Sequence, residues 1–301
     1  MKSKKSVGFI ILDVFYIVMA ILPLAFGLVL DILTTPASTE RVDIAGARIY
    51  FEIELLPSTR FFNIIISEAQ VNSVLVILTF LFICLFLTHG LKERIYLKRQ
   101  HLAEIIVEKV DAMVGENMGE YFKGYSPFII AIMGISALSS LLSLLGLFPP
   151  TSDISIVGGW AILVFALITY YKLKCGPIYY VKGFMQPVFI LAPINVIGEF
   201  ATPVSMAFRH YGNIMSGSVI SVLIAAFLSF LSRTVFGENA LSIFQVGLPA
   251  IMSLYFDIFS GCLQAFIFAM LTMLNISTAF DADEFSKRKL KKQQRKLKSK
   301  N

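Results

Sequence analysis

The sequence is short of charge for its size, and this shortage indicates the class of protein. Only 15% of its 301 residues are charged and 56% are hydrophobic, whereas a typical soluble domain has about 25% charged residues. The mean hydropathy is +0.76. These values exclude an ordinary soluble protein and predict an all-α integral membrane protein with one helical membrane domain.

Residue patterns that hold metals, cofactors or nucleophiles are also missing. The three cysteines have no metal-ligand spacing, and the three histidines are scattered along the chain. No phosphate-binding loop, glycine-rich dinucleotide motif or nucleophile motif occurs. We therefore predict no cofactor, no metal and no catalytic residue. The net charge of +6 is concentrated at the two ends and one loop, which favours membrane-surface attraction over nucleic-acid binding.

The apolar residues form about six stretches long enough to cross a bilayer. They are Val7–Leu30, Val71–Leu91, Tyr125–Phe148, Ile154–Tyr171, Pro187–Val235 and Leu241–Phe280. The last two are about 49 and 40 residues long, far more than the roughly 20 that one perpendicular crossing needs. Each is either two short crossing helices or one strongly tilted helix, and the residues near Phe236-Gly237-Glu238-Asn239 suggest that the two form a helical hairpin.

The segments between and around these stretches predict the topology. The first stretch follows three lysines and is either a cleaved signal sequence or a retained helix; its length favours retention. Residues 31–70 form a polar outer loop with a short β-like alternation at 48–54. Residues 102–122 have the pattern of an amphipathic helix that lies on the membrane surface or on a partner subunit. The Lys/Arg distribution, including the basic tail 281–301, places both termini in the cytoplasm.

An arginine stands inside the fifth apolar stretch. At helical spacing Ser205, Arg209, Asn213 and Ser216 form one polar stripe. Arginine keeps its proton at accessible pH, and placing it at mid-bilayer costs roughly 2.5–3.5 kcal/mol unless it meets a partner or water. The stripe therefore predicts a functional cation that faces an anionic group.

Other polar residues are placed to form a path past this cation. A second stripe on the last stretch contains Ser253, Asp257, Ser260 or Gly261, and Gln264, and it would face Asn213 in an antiparallel hairpin. Glu199 precedes Arg209 by ten residues, roughly 15 Å along a helix, which predicts an entrance on the cytoplasmic side. Asp153 follows Pro149-Pro150 and is the candidate for the opposite side.

Two motifs in this order resemble subunit a of the F-type ATP synthase. Arg209, Gly212 and Asn213 match the pattern of the family's arginine helix, and Leu263–Leu271 resembles its final helix with a Gln-Ala-Phe-Ile-Phe core. Further matches are Leu145–Pro149, Thr151–Asp153 and Pro193–Asn195 with Glu199. The resemblance covers about residues 60 to 280.

The resemblance implies a non-catalytic stator subunit of a rotary ATP synthase in a bacterial cell membrane. Its partners would be the c-ring, the peripheral-stalk subunit b and the lipid bilayer. Two half-channels against the c-ring would be separated by Arg209, and the last two long helices would be strongly tilted. The ion would be a proton and would pass residues of both stripes and of the two entrances: Ser205, Asn213, Ser216, Ser218, Gln264, Asp257, Glu199 and Asp153.

The sequence departs from the family at three positions. Ser218 stands where many members have a Glu or His. Asp257 stands where the partner of that Glu or His falls, so a single carboxylate replaces an acid–base pair. His210 replaces a usually apolar residue and is either a structural residue or a modulator that titrates. These changes leave proton and sodium coupling both open.

We divide the chain into an N-terminal extension at 1–70, an ion-translocating domain at 71–280 and a basic tail at 281–301. The extension lies beyond the family pattern, and we expect it to contact a further stator or dimer partner. The alternative function is a secondary transporter with a charged mid-membrane site. That class predicts interrupted helices in two related halves, and the sequence has no convincing internal repeat.

Overall fold

A computed structural model of the chain describes residues 7–34, 46–53, 64–91, 98–185, 189–237, 247, 251–252 and 254–298. The α-helices are α1 (Val7–Thr34), α2 (Glu68–Thr88), α3 (Lys98–Met118), α4 (Ser126–Leu141), α5 (Ile154–Cys175), α6 (Pro177–Phe184), α7 (Ala192–Phe236), α8 (Gly261–Ala279) and α9 (Ala282–Lys298). A π-helix at Leu254–Ser260 leads into α8. Short 3₁₀ turns occupy Glu120–Tyr125, Leu142–Leu145, Pro150–Ser152 and Phe189–Leu191.

Six of the described helical segments are long and apolar enough to cross a membrane. They are Gly8–Thr34, Glu68–Thr88, Glu120–Leu145, Ile154–Cys175, Phe189–Phe236 and Leu254–Thr278. The prediction of a helical membrane protein with about six hydrophobic helices is therefore confirmed. The predicted bounds were close but not the same: α2, for example, begins three residues before the predicted Val71.

The fifth apolar stretch forms one continuous helix of 45 residues, α7. The alternative of two short crossing helices is therefore wrong for this segment. Pro203 lies inside the helix and cannot donate to the carbonyl of Glu199, four residues earlier. The predicted turn at Glu238-Asn239 lies outside the described residues, as does Ser253, so the last apolar stretch is described as helix only at 251–252 and from Leu254 onward.

The predicted outer loop contains a small antiparallel sheet, of which only the first strand was predicted. Strand β1 (Ile49–Ile53) pairs with β2 (Ile64–Ser67), and Ile53 lies opposite Ile64. The alternation of apolar and polar residues was recognised only in the first of these strands. The second is a run of three isoleucines, and β-branched residues of this kind favour strands even without alternation.

The amphipathic helix α3 packs its apolar stripe against this chain, and its predicted position on the membrane surface or on a partner stays a prediction. Its residues Val110, Val114 and Met118 are buried in the main core, together with Met273 and Ile276 of α8. The apolar stripe of α3 is therefore buried against α8, and most of its other residues remain exposed or half-buried.

Helix α1 is held against neighbouring segments of the chain by ion pairs near both of its ends. On one side Asp13, 9% exposed, pairs with Arg99 and lies 3.2 Å from Nδ1 of His89. At the other end Arg48 pairs with Asp31 and also with Glu68 at 3.3 Å. The added helix is therefore an integral part of the bundle.

Helix α8 lies at the centre of the bundle and contacts α3, α4, α5 and α7. Its residues Phe268, Ala269 and Met273 are at most 1% exposed. Helix α7 lies at the edge: only 6% of the residues in its most apolar stretch are buried. The two long helices of the predicted hairpin therefore differ, because one is enclosed by the chain and the other presents most of its length outward.

Candidate functional site

Arg209 points outward from α7 at the wall of an open cleft. The cleft has a volume of about 340 Å³, and Ser205, Met206 and Asn275 also line it. Arg209 is exposed, and among the described residues no carboxylate lies within 4.0 Å of its guanidinium. The fixed cation thus has no ion-pair partner in the described part of the chain.

The surface around this cation is apolar. Large side chains of α7 on the outward surface are 52% to 67% exposed: Ile197, Phe200, Val204 and Phe208. A charge in such surroundings is costly unless an anion or water from outside reaches it. The exposed face of α7 therefore has the chemistry of a contact surface for an acidic group that belongs to another molecule.

Asn213, one turn after Arg209, is held by the π-helix and α8, in the second arm of the predicted hairpin. The Ser260 hydroxyl donates to its Oδ1 at 2.8 Å, and its amide donates to Oε1 of Gln264 at 3.4 Å. Gln264 is 3% exposed. The expectation that an antiparallel hairpin brings Gln264 to Asn213 is confirmed.

Close packing of α7 on the π-helix makes this contact possible. A side chain on Gly217 would place its Cβ 2.9 Å from the Phe256 ring, which real Cβ atoms essentially never approach. A glycine here therefore lets the two backbones come together. The π-helical turn carries Ser260 to Asn213, and such turns are frequent at functional sites.

Glu199 lies in a second polar cluster, in the first turns of α7. Lys172 Nζ of α5 contacts its Oε1 at 2.9 Å, and the Tyr180 hydroxyl of α6 donates to the same oxygen at 2.9 Å. The Glu199 side chain is 8% exposed. Burial and then the hydrogen bond to this carboxylate raise the pKa of Tyr180 to about 12, so the phenol stays a donor at neutral pH.

A cavity of about 610 Å³ opens beside this cluster. Its lining carries charges of both signs and other polar groups, and includes Lys172, Lys182, Tyr179, Asn195 and Asp281. The cavity leads from the end of α5 to the buried carboxylate. Its size is far above the volume of a single water molecule, so it offers an aqueous approach to Glu199.

His210 follows Arg209 on α7 but points into the bundle, whereas Arg209 is exposed. His210 is 0% exposed and sits beside the rings of Trp160 and Phe268, at centroid distances of 6.1 and 5.5 Å. Its Nε2 is 3.3 Å from the Ser136 hydroxyl, and its Nδ1 has no hydrogen-bond partner among the described residues. The imidazole therefore packs in the bundle interior and does not reach the cleft.

The remaining predicted site residues lie apart from the Arg209 cleft. Asp153 caps α5 by accepting the Ser155 N–H at 2.8 Å. The hydroxyls of Ser216 and Ser218 donate to carbonyls of the preceding turn of α7, at 3.1 and 2.9 Å. Asp257 lies half-buried in the π-helix. No group of three His, Cys, Asp or Glu in the described chain is arranged to hold a metal ion.

Sequence reasoning missed the partners of Glu199. Neither Lys172 nor Tyr180 was predicted as a site residue. The available sequence signal for these partners was Gly176-Pro177, where α5 ends and α6 begins. A helix that restarts at this point can bring its tyrosines back towards the last turn of α5.

Comparisons with known proteins agree on one family. The family model described as "ATP synthase A chain" matches residues 71–277. A protein of Geotalea daltonii named "ATP synthase subunit a" is 31% identical over 72% of this chain and 90% of its own length. "ATP synthase subunit a 3" of Pelobacter propionicus is 32% identical over the same shares, and "ATP synthase subunit a" of Trichlorobacter lovleyi is 29% identical.

Proposed function

The chain belongs to the ATP synthase A chain family, the proton-translocating stator subunits of F-type ATP synthases, and we propose that Arg209 is the charge barrier between its two half-channels. The observation that carries this proposal is the outward-facing cation on an apolar helix surface. The subunit itself is non-catalytic and passes ions to or from a catalytic head elsewhere in the complex.

The partner of Arg209 is a carboxylate of the c-ring. An ion-loaded carboxylate is neutral and crosses lipid, whereas an empty carboxylate is charged and costly there. Beside Arg209 the charged form is favoured, so the ion is released before the carboxylate moves on. The same cation repels ions that would leak directly between the half-channels.

The two half-channels approach Arg209 from opposite ends of α7. The inner one is the cavity that ends at Glu199, with Ser205 between it and the arginine. The outer one runs from Asp153 past the group formed by residues 213, 216, 218, 257 and 264. We propose that His210 positions α7 and does not carry the ion, because it lies behind Arg209 in the bundle interior.

The remaining proposals are supported by the family and the charge distribution. The protein is placed in the bacterial cell membrane, with both termini and the basic tail 281–301 in the cytoplasm. The domain at 71–280 meets the c-ring and subunit b, and the extension at 1–70 contacts a further stator or dimer partner. Deleting residues 1–60 is expected to change complex assembly, and unchanged assembly would count against that contact.

ATP-driven acidification of inverted membrane vesicles tests the role of Arg209. In complexes assembled to equal levels, Arg209→Ala is expected to abolish pumping while the catalytic head still hydrolyses ATP. Arg233→Ala is the matched control, because Arg233 is also exposed on α7 but lies near its far end. Equal pumping by wild type and Arg209→Ala would overturn the proposal.

A further inference from the structure

Helix α9 is the most basic element of the chain, and it lies beyond the segment that matches the family model, which ends at residue 277. Its sequence contains two acids at the start, Asp283 and Glu284, and then eight basic residues: Lys287, Arg288, Lys289, Lys291, Lys292, Arg295, Lys296 and Lys298. Nothing in ion translocation requires such a helix.

The start of α9 is fixed to the end of α5 and the start of α6. The Asp281 carboxylate accepts the backbone N–H groups of Asp283 and Glu284 at 3.0 and 3.1 Å, and it accepts the Tyr179 hydroxyl at 2.9 Å. The Asp281 amide also contacts Cys175 Sγ at 3.3 Å. The helix therefore begins at a defined position.

The second turn of α9 is fixed at the same level. Arg288 donates to the carbonyl oxygens of Leu173 and Lys174 at 3.0 and 2.9 Å. These carbonyls belong to the last turn of α5, where no helical donor is left for them. Phe285 packs against Phe280, at a centroid distance of 5.4 Å.

These two attachments hold the first turns of the helix beside the end of α5. Asp281 and Arg288 are seven residues apart, about 10 Å along an α-helix, yet both contact residues within the last three of α5. The spanning segments end at Cys175 and Thr278. The first 10 Å of α9 are therefore tied to the level at which the spanning segments end.

The surrounding side chains mark the same level. Lys174 lies over the rings of Tyr121, Tyr170 and Phe285, at 5.4 to 5.7 Å. Tyrosine and lysine together are typical of the boundary between hydrocarbon and headgroups. The basic residues after Arg288 therefore follow an element that begins in the headgroup layer.

We propose that α9 is an arm that binds anionic phospholipid headgroups of the leaflet at which α5 and α8 end. Charge complementarity carries the choice of partner, because clusters of lysine and arginine beside a spanning helix are attracted by anionic lipid and released by salt. The proposal does not depend on the role of Arg209.

The test uses the full chain in lipid nanodiscs with an environment-sensitive dye at Gln293→Cys, an exposed position of α9. The background carries Cys84→Ala and Cys262→Ser, because Cys175 is buried. In nanodiscs with 30% phosphatidylglycerol we expect blue-shifted emission and quenching by a headgroup-level lipid quencher, at least about threefold stronger than in phosphatidylcholine alone. High salt is expected to remove the difference.

Two variants separate the possible outcomes. Neutralising four lysines (Lys289, Lys291, Lys292 and Lys296→Gln) should reduce the quenching in anionic nanodiscs to the level of neutral ones. Glu284→Gln on the same helix is the control and should leave the quenching equal or stronger. Equal quenching in neutral and anionic lipid overturns the proposal. The proposal is also overturned if the dye on α9 stays in water in both kinds of nanodisc and α9 instead binds an added acidic polypeptide.

Discussion

The ion cluster that joins α1 to the rest of the bundle gives a prediction with a measurable size. Asp13 and Arg99 pair with side chains that are 12% and 11% exposed. Arg99 also donates to the His89 carbonyl at 2.6 Å and lies 4.9 Å from the centroid of the Phe9 ring. Arg99→Leu keeps the apolar volume but removes the guanidinium from the buried Asp13 carboxylate, which still has His89 at 3.2 Å.

The magnitude follows from the cost of an uncompensated buried charge. Removing one partner of a buried pair destabilises by about 3–5 kcal/mol, whereas replacing both by apolar residues is often neutral. We expect Arg99→Leu to weaken docking of α1 on the rest of the bundle by about 3 kcal/mol, more than 100-fold in the docking equilibrium. The double variant with Asp13→Leu should recover most of this loss.

The assay is energy transfer between dyes on α1 and α2 during titration with a denaturing detergent. Cysteines at Ile32 and Val74 provide exposed labelling positions on the two helices. A double-mutant cycle on Asp13 and Arg99 then isolates the pair from other effects of each substitution. A loss below about 0.5 kcal/mol for Arg99→Leu, or two losses that simply add, would refute the reasoning.

Two further predictions concern packing and pH. Gly261→Ala should destabilise the bundle by about 1–3 kcal/mol, because the new Cβ would lie 2.5 Å from Cβ of Ser140. The measurement is thermal unfolding. Gly212→Ala is the matched control, because a Cβ on Gly212 would meet nothing within 4 Å. Hydrogen bonds, first from a backbone amide of α9 and then from the Tyr179 hydroxyl, lower the pKa of Asp281. This stabilisation is present above the ordinary Asp pKa of about 3.9 and is lost as pH falls through the lower folded value. A spin label at residue 293 should therefore become more mobile only below about pH 4, and Asp281→Asn should remove that transition.

The sequence was sufficient for features that depend on local spacing. Ser205 and Arg209 are four residues apart, so a helix places them on one face, and both line the same cleft. Gln264 could be paired with Asn213 because two long apolar stretches joined by a short polar segment pack antiparallel. Long apolar runs likewise predicted the spanning helices, because lipid requires that every backbone group be satisfied within the segment.

Features that depend on contacts between distant segments could not be predicted. Lys172 and Glu199 meet because α5 and α7 pack together, and no local pattern links the two residues. The ion pair of Asp13 with Arg99 joins residues 86 positions apart. The π-helix before Ser260 changes the register of the second stripe, and a stripe drawn at α-helical spacing cannot anticipate that change.

Passive proton flux through the membrane sector, with the catalytic head removed, tests the charge-barrier account most directly. Under an imposed membrane potential, Arg209→Gln should increase proton flux above that of the wild type, because the cation that separates the two half-channels is gone. Arg233→Gln should leave the flux unchanged. A flux through Arg209→Gln equal to the wild type, together with intact ATP-driven pumping, would contradict the account.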